Sequence, residues 1–162
     1  MGVRIEFVEI EPRWRRAFPA RKLAREAVRS AAEEAGVALA PAAEMTIHLC
    51  DDDGLRALNK QWRGKDAPTN VLSFPAVAAD RVSGARLLGD VFVALQTVER
   101  EAMAEGKPLA DHYRHLVAHG FLHLIGFDHE TPEEAEAMEA VEIRALARLG
   151  VADPYAGVEL TP

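Results

Sequence analysis

Five of the chain's six histidines lie between residues 112 and 129. Three of them, His119, His123 and His129, follow the pattern H-x-x-x-H-x-x-G-x-x-H. Residues four apart stand one turn above each other on one face of a helix. A helix through this stretch therefore points His119 and His123 the same way. Gly126 can take a left-handed backbone and end that helix, so the chain turns and His129 returns to the same point. Three neutral imidazoles meeting there make a site for one zinc ion with a fourth position open, which is the layout of a catalytic rather than a structural zinc. His115, one turn before His119, either holds a ligand or a substrate oxygen or packs beneath the sheet. His112 is read as a surface residue. Asp128 either orients a ligand imidazole or fixes the turn after Gly126, and the turn is the favoured reading.

The spacing is that of the long zinc motif of metzincin peptidases, where a Glu after the first His is the general base. Position 120 is Gly here. A glycine cannot take a proton, and losing such a base costs roughly a hundredfold to ten-thousandfold. Peptide hydrolysis is therefore disfavoured. Zinc still lowers the pKa of a water to ~7, so a reaction with help from elsewhere remains open. Cleavage of RNA fits, because its transition state builds negative charge on phosphate oxygens that a metal and an arginine can hold.

The segment from His119 to His129, with Thr69-Asn70-Val71-Leu72-Ser73-Phe74-Pro75 and Leu88-Gly89-Asp90, resembles the bacterial YbeY family. These are metal-dependent endoribonucleases that mature ribosomal RNA and take part in ribosome quality control. The resemblance covers residues 51–155, including the closing Asp153-Pro154-Tyr155, and is weak before Met45. It implies one zinc per chain held by His119, His123 and His129, and single-strand-specific cleavage of ribosomal RNA precursors. It also implies a small-subunit ribosomal protein and an assembly GTPase as partners. The family's arginine, which follows the helix Asn59-Lys60-Gln61-Trp62, is Arg63 here. Read alone, Arg63 is a cation at a helix end, where it suits the dipole; read with the family, it is a catalytic, fork-shaped clamp on phosphate. Ser73, at a strand end, either donates to a phosphate or caps the following turn. Asp90 lies in an apolar strand, where an unpaired carboxylate is costly, so it needs a partner: a ligand imidazole, His115 or Arg63. Two other readings stand beside the ribonuclease. One is a zinc peptidase, weakened by Gly120. The other is a non-catalytic ribosome-assembly module whose zinc only ties the last helix to the core.

Several elements must position these residues. Residues 3–10 alternate as a first strand, and Pro12 and Pro19 bracket a connection. Residues 20–35 form an amphipathic helix with Leu23, Ala27, Val28 and Ala31 inward, stopped by Gly36. Residues 45–50 are a second strand. Asp51-Asp52-Asp53 caps a helix through Leu55, Leu58 and Trp62 and lacks the ligand pattern of a calcium loop. Residues 70–74 and 87–95 are strands that make one wall of a cleft, with the histidine helix, residues 109–125, as its floor. Residues 76–86 read as a mobile loop or edge hairpin, and residues 96–105 as a helix. Thr131, Pro132 and Glu134 open a last helix that runs to about residue 149. Strands early and helices late give an α+β fold, a small mixed sheet of about four to five strands packed against about five helices.

The chain's 162 residues read as one domain over 1–162, and 49% are hydrophobic, as in a globular protein. No run approaches the ~18 apolar residues of a membrane span, and no signal peptide opens the sequence, so a cytoplasmic protein is expected. A single cysteine, Cys50, excludes an internal disulfide and reads as buried core. The net charge of −7 argues against general binding of nucleic acid. It is unevenly spread: residues 13–29 hold seven bases and one acid, residues 126–162 nine acids and two bases. A basic face on an acidic protein can still hold a polyanion locally.

Overall fold

A computed structural model describes residues 2–156; Glu159, the last acid of the C-terminal run, lies outside the described residues. Four strands form one sheet: β1 (Arg4–Glu9), β2 (Glu44–Cys50), β3 (Val71–Pro75) and β4 (Leu87–Ala94). Their order across the sheet is β1-β2-β4-β3, with β1, β2 and β4 parallel and β3 antiparallel on the edge beside β4. The expected α+β class and mixed sheet hold, at four strands. The helices are α1 (Trp14–Ala17), α2 (Ala20–Ala35), α3 (Asp52–Arg63), α4 (Leu95–Glu105), α5 (Leu109–Leu124) and α6 (Pro132–Ala147). No helix among them is long and apolar enough to cross a membrane.

Period-two alternation sorts the strands' side chains. Met45, Ile47 and Leu49 of β2 and Val91 and Val93 of β4 are buried on the face that meets α5. Leu23, Ala24, Ala27, Val28 and Ala31 bury the inner stripe of α2, which packs on α5 and α6. Ser30 Oγ donates to Ala145 O at 2.7 Å and Tyr113 Oη to Ala20 O at 2.9 Å, fixing α2 to both partners. On the opposite face Cys50, Leu55, Leu72 and Ala94 form a smaller core beneath α3. Burial first, then the charge of Asp51, pushes the Cys50 thiol up to about 11.

Two stretches differ from the sequence reading. The connection between Pro12 and Pro19 contains α1, and Trp14 in it is fully buried, its Nε1 donating to Cys50 O at 2.8 Å. Within residues 76–86 a 3₁₀ turn, Ala79–Gly84, folds onto the core because Val82 is an apolar anchor, 1% exposed. The basic run is also partly neutralised at home. Arg15 and Arg21 bind Glu9, Arg13 binds Glu11, and the Arg21 and Arg25 guanidinium groups lie 5.4 and 5.2 Å from the Phe7 ring centre.

Candidate metal centre

The buried stripe of α5 lies directly on the sheet, and its outer stripe carries the imidazoles. Gly120 makes the close approach possible. A Cβ there would meet Val91 Cγ1 at 2.8 Å and Ser73 Oγ at 3.2 Å. Ser73 Oγ donates instead to Gly120 O at 3.1 Å, tying β3 to the helix between its two histidines. Past α5 the chain reverses at Gly126, whose φ of 105° suits glycine and whose Cβ position is filled by Ala79 Cβ at 2.8 Å. The reversal returns His129, and Asp128 Oδ1 accepts from His129 N at 2.8 Å. Asp128 thus takes the turn role.

The three imidazoles converge. Their ring centres are 4.6 Å apart for His119–His123, 4.9 Å for His123–His129 and 5.6 Å for His119–His129. One ligand nitrogen from each lies within 4.8 Å of the others, so the group can hold a metal ion. Among the described residues no fourth histidine, cysteine or carboxylate joins it. His119 Nδ1 is 3.0 Å from Glu142 Oε2. A carboxylate only accepts, so Nδ1 carries the proton and His119 Nε2 presents a lone pair. That nitrogen faces His123 Nε2 at 3.1 Å. A proton on His123 Nε2 would bridge the two nitrogens; a cation in its place would do the same, and a tetrahedral ion with bonds of ~2.0–2.1 Å sets its nitrogens about 3.3 Å apart. Burial first, then the charges of His119 and His129, hold His123 down to about 4, so it is neutral and able to ligate near pH 7. The residues present fit a metal with zinc's preferences.

Glu142 is the main feature that the sequence reading missed. It is fully buried on α6 and also accepts from His115 Nε2 at 3.0 Å and Tyr155 Oη at 2.7 Å. Burial would raise its pKa, but hydrogen bonds from His115 and His119 outweigh that and take it down to about 2. His115 therefore reaches the cradle through a carboxylate and does not reach it directly. A signal was present: Met138, Val141, Glu142 and Ala145 form one buried stripe, and an acid in such a stripe needs donors.

Two further expectations are corrected. His112 is buried, 4% exposed, and bonds Glu101 Oε1 at 2.9 Å, because its stripe of α5 faces α4. Asp90 pairs with His48 Nε2 at 2.9 Å. Its register neighbours are Thr46 on β2 and Phe74 on β3, on the sheet face away from α5, so it meets neither a ligand imidazole, His115 nor Arg63. Ser73, for its part, holds the helix carbonyl and does not cap a turn.

Arg63 ends α3, where Gly64 closes the helix, and the buried Asn59 donates from Nδ2 to Ala67 O at 2.9 Å to pin the loop that follows. Arg63, Ser73 and the three histidines line one cleft of about 400 Å³. Its wall is β3 alone, with β4 behind. Among the described residues Arg63 makes no ion pair, and no carboxylate lines the cleft.

A mixed sheet whose antiparallel edge strand walls a three-histidine cradle defines an α+β fold with a cleft that can hold a metal ion. The chain belongs to the family described as endoribonuclease YbeY, whose model matches residues 10–150. A relative of that name from Rhodopseudomonas palustris is 60% identical over 117 residues, 71% of this chain and 62% of that protein, so the chain spans less than two thirds of its length. A second from the same species is 54% identical, covering 81% of this chain and 80% of the relative. One from Bradyrhizobium diazoefficiens is 48% identical over 88% of the chain and 80% of its own length. The solution structure of a Thermotoga maritima protein matches with a TM-score of 0.57 at 24% identity, over 90% of this chain and 91% of that one, a likeness of fold.

Proposed function

We propose that this chain is a zinc-dependent endoribonuclease that cleaves single-stranded RNA, with ribosomal RNA precursors as substrates in maturation and quality control. One observation carries the reading: Arg63, without an ion-pair partner among the described residues, and the three-histidine cradle open into the same cleft, which no described carboxylate lines. His119, His123 and His129 would hold the ion, and Glu142 keeps His119 in the ligating tautomer. When bound, the ion supplies Lewis-acid polarisation of a phosphate oxygen. Arg63 grips the phosphate through its planar fork and stabilises the charge that grows on the equatorial oxygens. Ser73 fixes β3 against α5 and so keeps the wall in register with the cradle. Family membership supports the nuclease reading, and the filled space at Gly120 leaves no room for a peptidase glutamate.

The test is cleavage of precursor ribosomal RNA by protein of measured metal content, beside His119→Ala and Arg63→Glu. Both variants are expected to fold and to lose cleavage, His119→Ala with loss of metal and Arg63→Glu without it. Intact RNA after incubation with fully loaded wild type would overturn the reading. A small-subunit ribosomal protein and an assembly GTPase are proposed partners on the same family grounds, in a cytoplasmic setting.

A further inference from the structure

Among the described residues the large exposed hydrophobics are Val8, Ile10, Leu87, Met103 and Trp62, and of these only Trp62 is aromatic. It is 63% exposed and adjoins Arg63 on the rim of the metal cleft. Behind it stands Phe74, ring centres 5.9 Å apart at an interplanar angle of 63°. Phe74 meets Phe92 edge-on at 5.6 Å, and Phe92 stacks flat on His48 at 4.0 Å. The indole is thus backed by a continuous run of rings rooted in β3, β4 and β2, which holds it outward and keeps it from folding onto the core.

We propose that Trp62 is a stacking platform for one unpaired RNA base, next in the strand to the phosphate gripped in the cleft. This deepens the ribonuclease reading and rests on it. The chemistry selects the occupant. Every base has a π-face that can lie on an indole, and stacking of this kind is sequence-tolerant. The cleft, lined by no described carboxylate and with Arg63 beside the platform, accepts an anionic backbone. A duplex keeps its bases stacked on one another, so only a splayed, single-stranded nucleotide can use the ring. Trp62 would therefore sort single from double strands, which the cradle and Arg63 cannot do by touching phosphate alone.

The probes are an unstructured oligouridylate and an RNA duplex of equal length, titrated into metal-loaded wild type, Trp62→Ala and Trp62→Phe with tryptophan emission and equilibrium binding recorded. The other tryptophan, Trp14, is fully buried and serves as internal background. Oligouridylate is expected to quench wild-type emission. Trp62→Ala should bind it about tenfold more weakly, Trp62→Phe should recover most of the affinity, and all three should bind the duplex alike with unchanged metal content. In cleavage of the single strand, Trp62→Ala should raise KM more than it lowers kcat. Equal affinity of Trp62→Ala and wild type for oligouridylate overturns the platform, as does quenching by an unstructured polypeptide but not by RNA. Trp62-dependent binding without cleavage by wild type sinks the nuclease reading and leaves the platform standing. Cleavage that depends on Arg63 but not on Trp62 does the reverse.

Discussion

Gly120 carries two meanings that coincide at one atom. Chemically it removes the carboxylate that peptidases of this spacing use as base. Sterically it is where α5 touches β4, with Val91 Cγ1 at 2.8 Å from an added Cβ. The space, and not only the chemistry, forbids a glutamate. Val91 is buried and β-branched, so it has few rotamers into which to retreat. Gly120→Ala is expected to cost about 1–2 kcal/mol, since overpacking outweighs the ~1 kcal/mol that alanine gains in helix propensity. Gly120→Glu should cost more than ~3 kcal/mol, because it adds an unpaired buried carboxylate, and should show no peptidase activity. Urea unfolding of the two variants checks this, and an unchanged midpoint for Gly120→Glu would mean that the helix does not press on the sheet there.

At the scale of elements, what could be read from the sequence was what is local in the chain. Asp51 caps α3 by accepting from Gly54 N at 2.9 Å, and Thr131 caps α6 in a box with Glu134, accepting from Glu134 N at 3.1 Å. The helical run of the two ligand histidines is equally local. The contacts that organise the site are not. Glu142 lies 23 residues from His119, and His48 lies 42 residues from Asp90. Hydrophobic period alone gives no register between such segments, so Asp90 could be given the need for a partner but not the partner's name. His112 was misplaced for a related reason: which neighbour covers its face depends on where α4 docks. The α6 cap therefore has a reach beyond its helix. Thr131→Ala should cost about 1 kcal/mol of stability and, by fraying the start of the helix that presents Glu142, should weaken metal affinity slightly. Glu142 sits in the helix's third turn, so the loss of affinity should stay well below the ten- to a hundredfold expected of removing a carboxylate behind a ligand outright. Competition with a chelator indicator against thermal unfolding of the same samples separates the two effects.

For the whole molecule, the uneven charge seen along the sequence is partly offset by folding at its basic end. Basic side chains of the run at residues 13–29 meet Glu9, Glu11 and the Phe7 ring, so that surface is less of a polyanion face than a count suggests. Two titratable groups with large shifts, Glu142 and His123, lie at the cradle. Glu142 is held down to about 2 from 4.5, so the native state binds its proton less readily than the unfolded chain does. His123, held down to about 4 from 6.5, has the same sign, because the unfolded imidazole takes a proton first. The metal-free protein should therefore have a flat stability between about pH 6.5 and 9, above which the raised Cys50 thiol begins to cost stability. As pH falls, it should lose the His123 contribution between about 6.5 and 4, then the Glu142 contribution between about 4.5 and 2. From the Glu142 shift alone the loss is on the order of 3 kcal/mol. Glu142→Gln cannot ionise, so it should be less stable at neutral pH yet lose less on acidification, and its curve should converge on the wild type near pH 2. Urea midpoints of both proteins from pH 8 to pH 3, with metal stripped, test the linkage. Parallel curves would locate the acid-sensitive carboxylates elsewhere, with Glu101 next in line. Although burial raises it, bonds from His112 and Asn70 also leave it below its usual range.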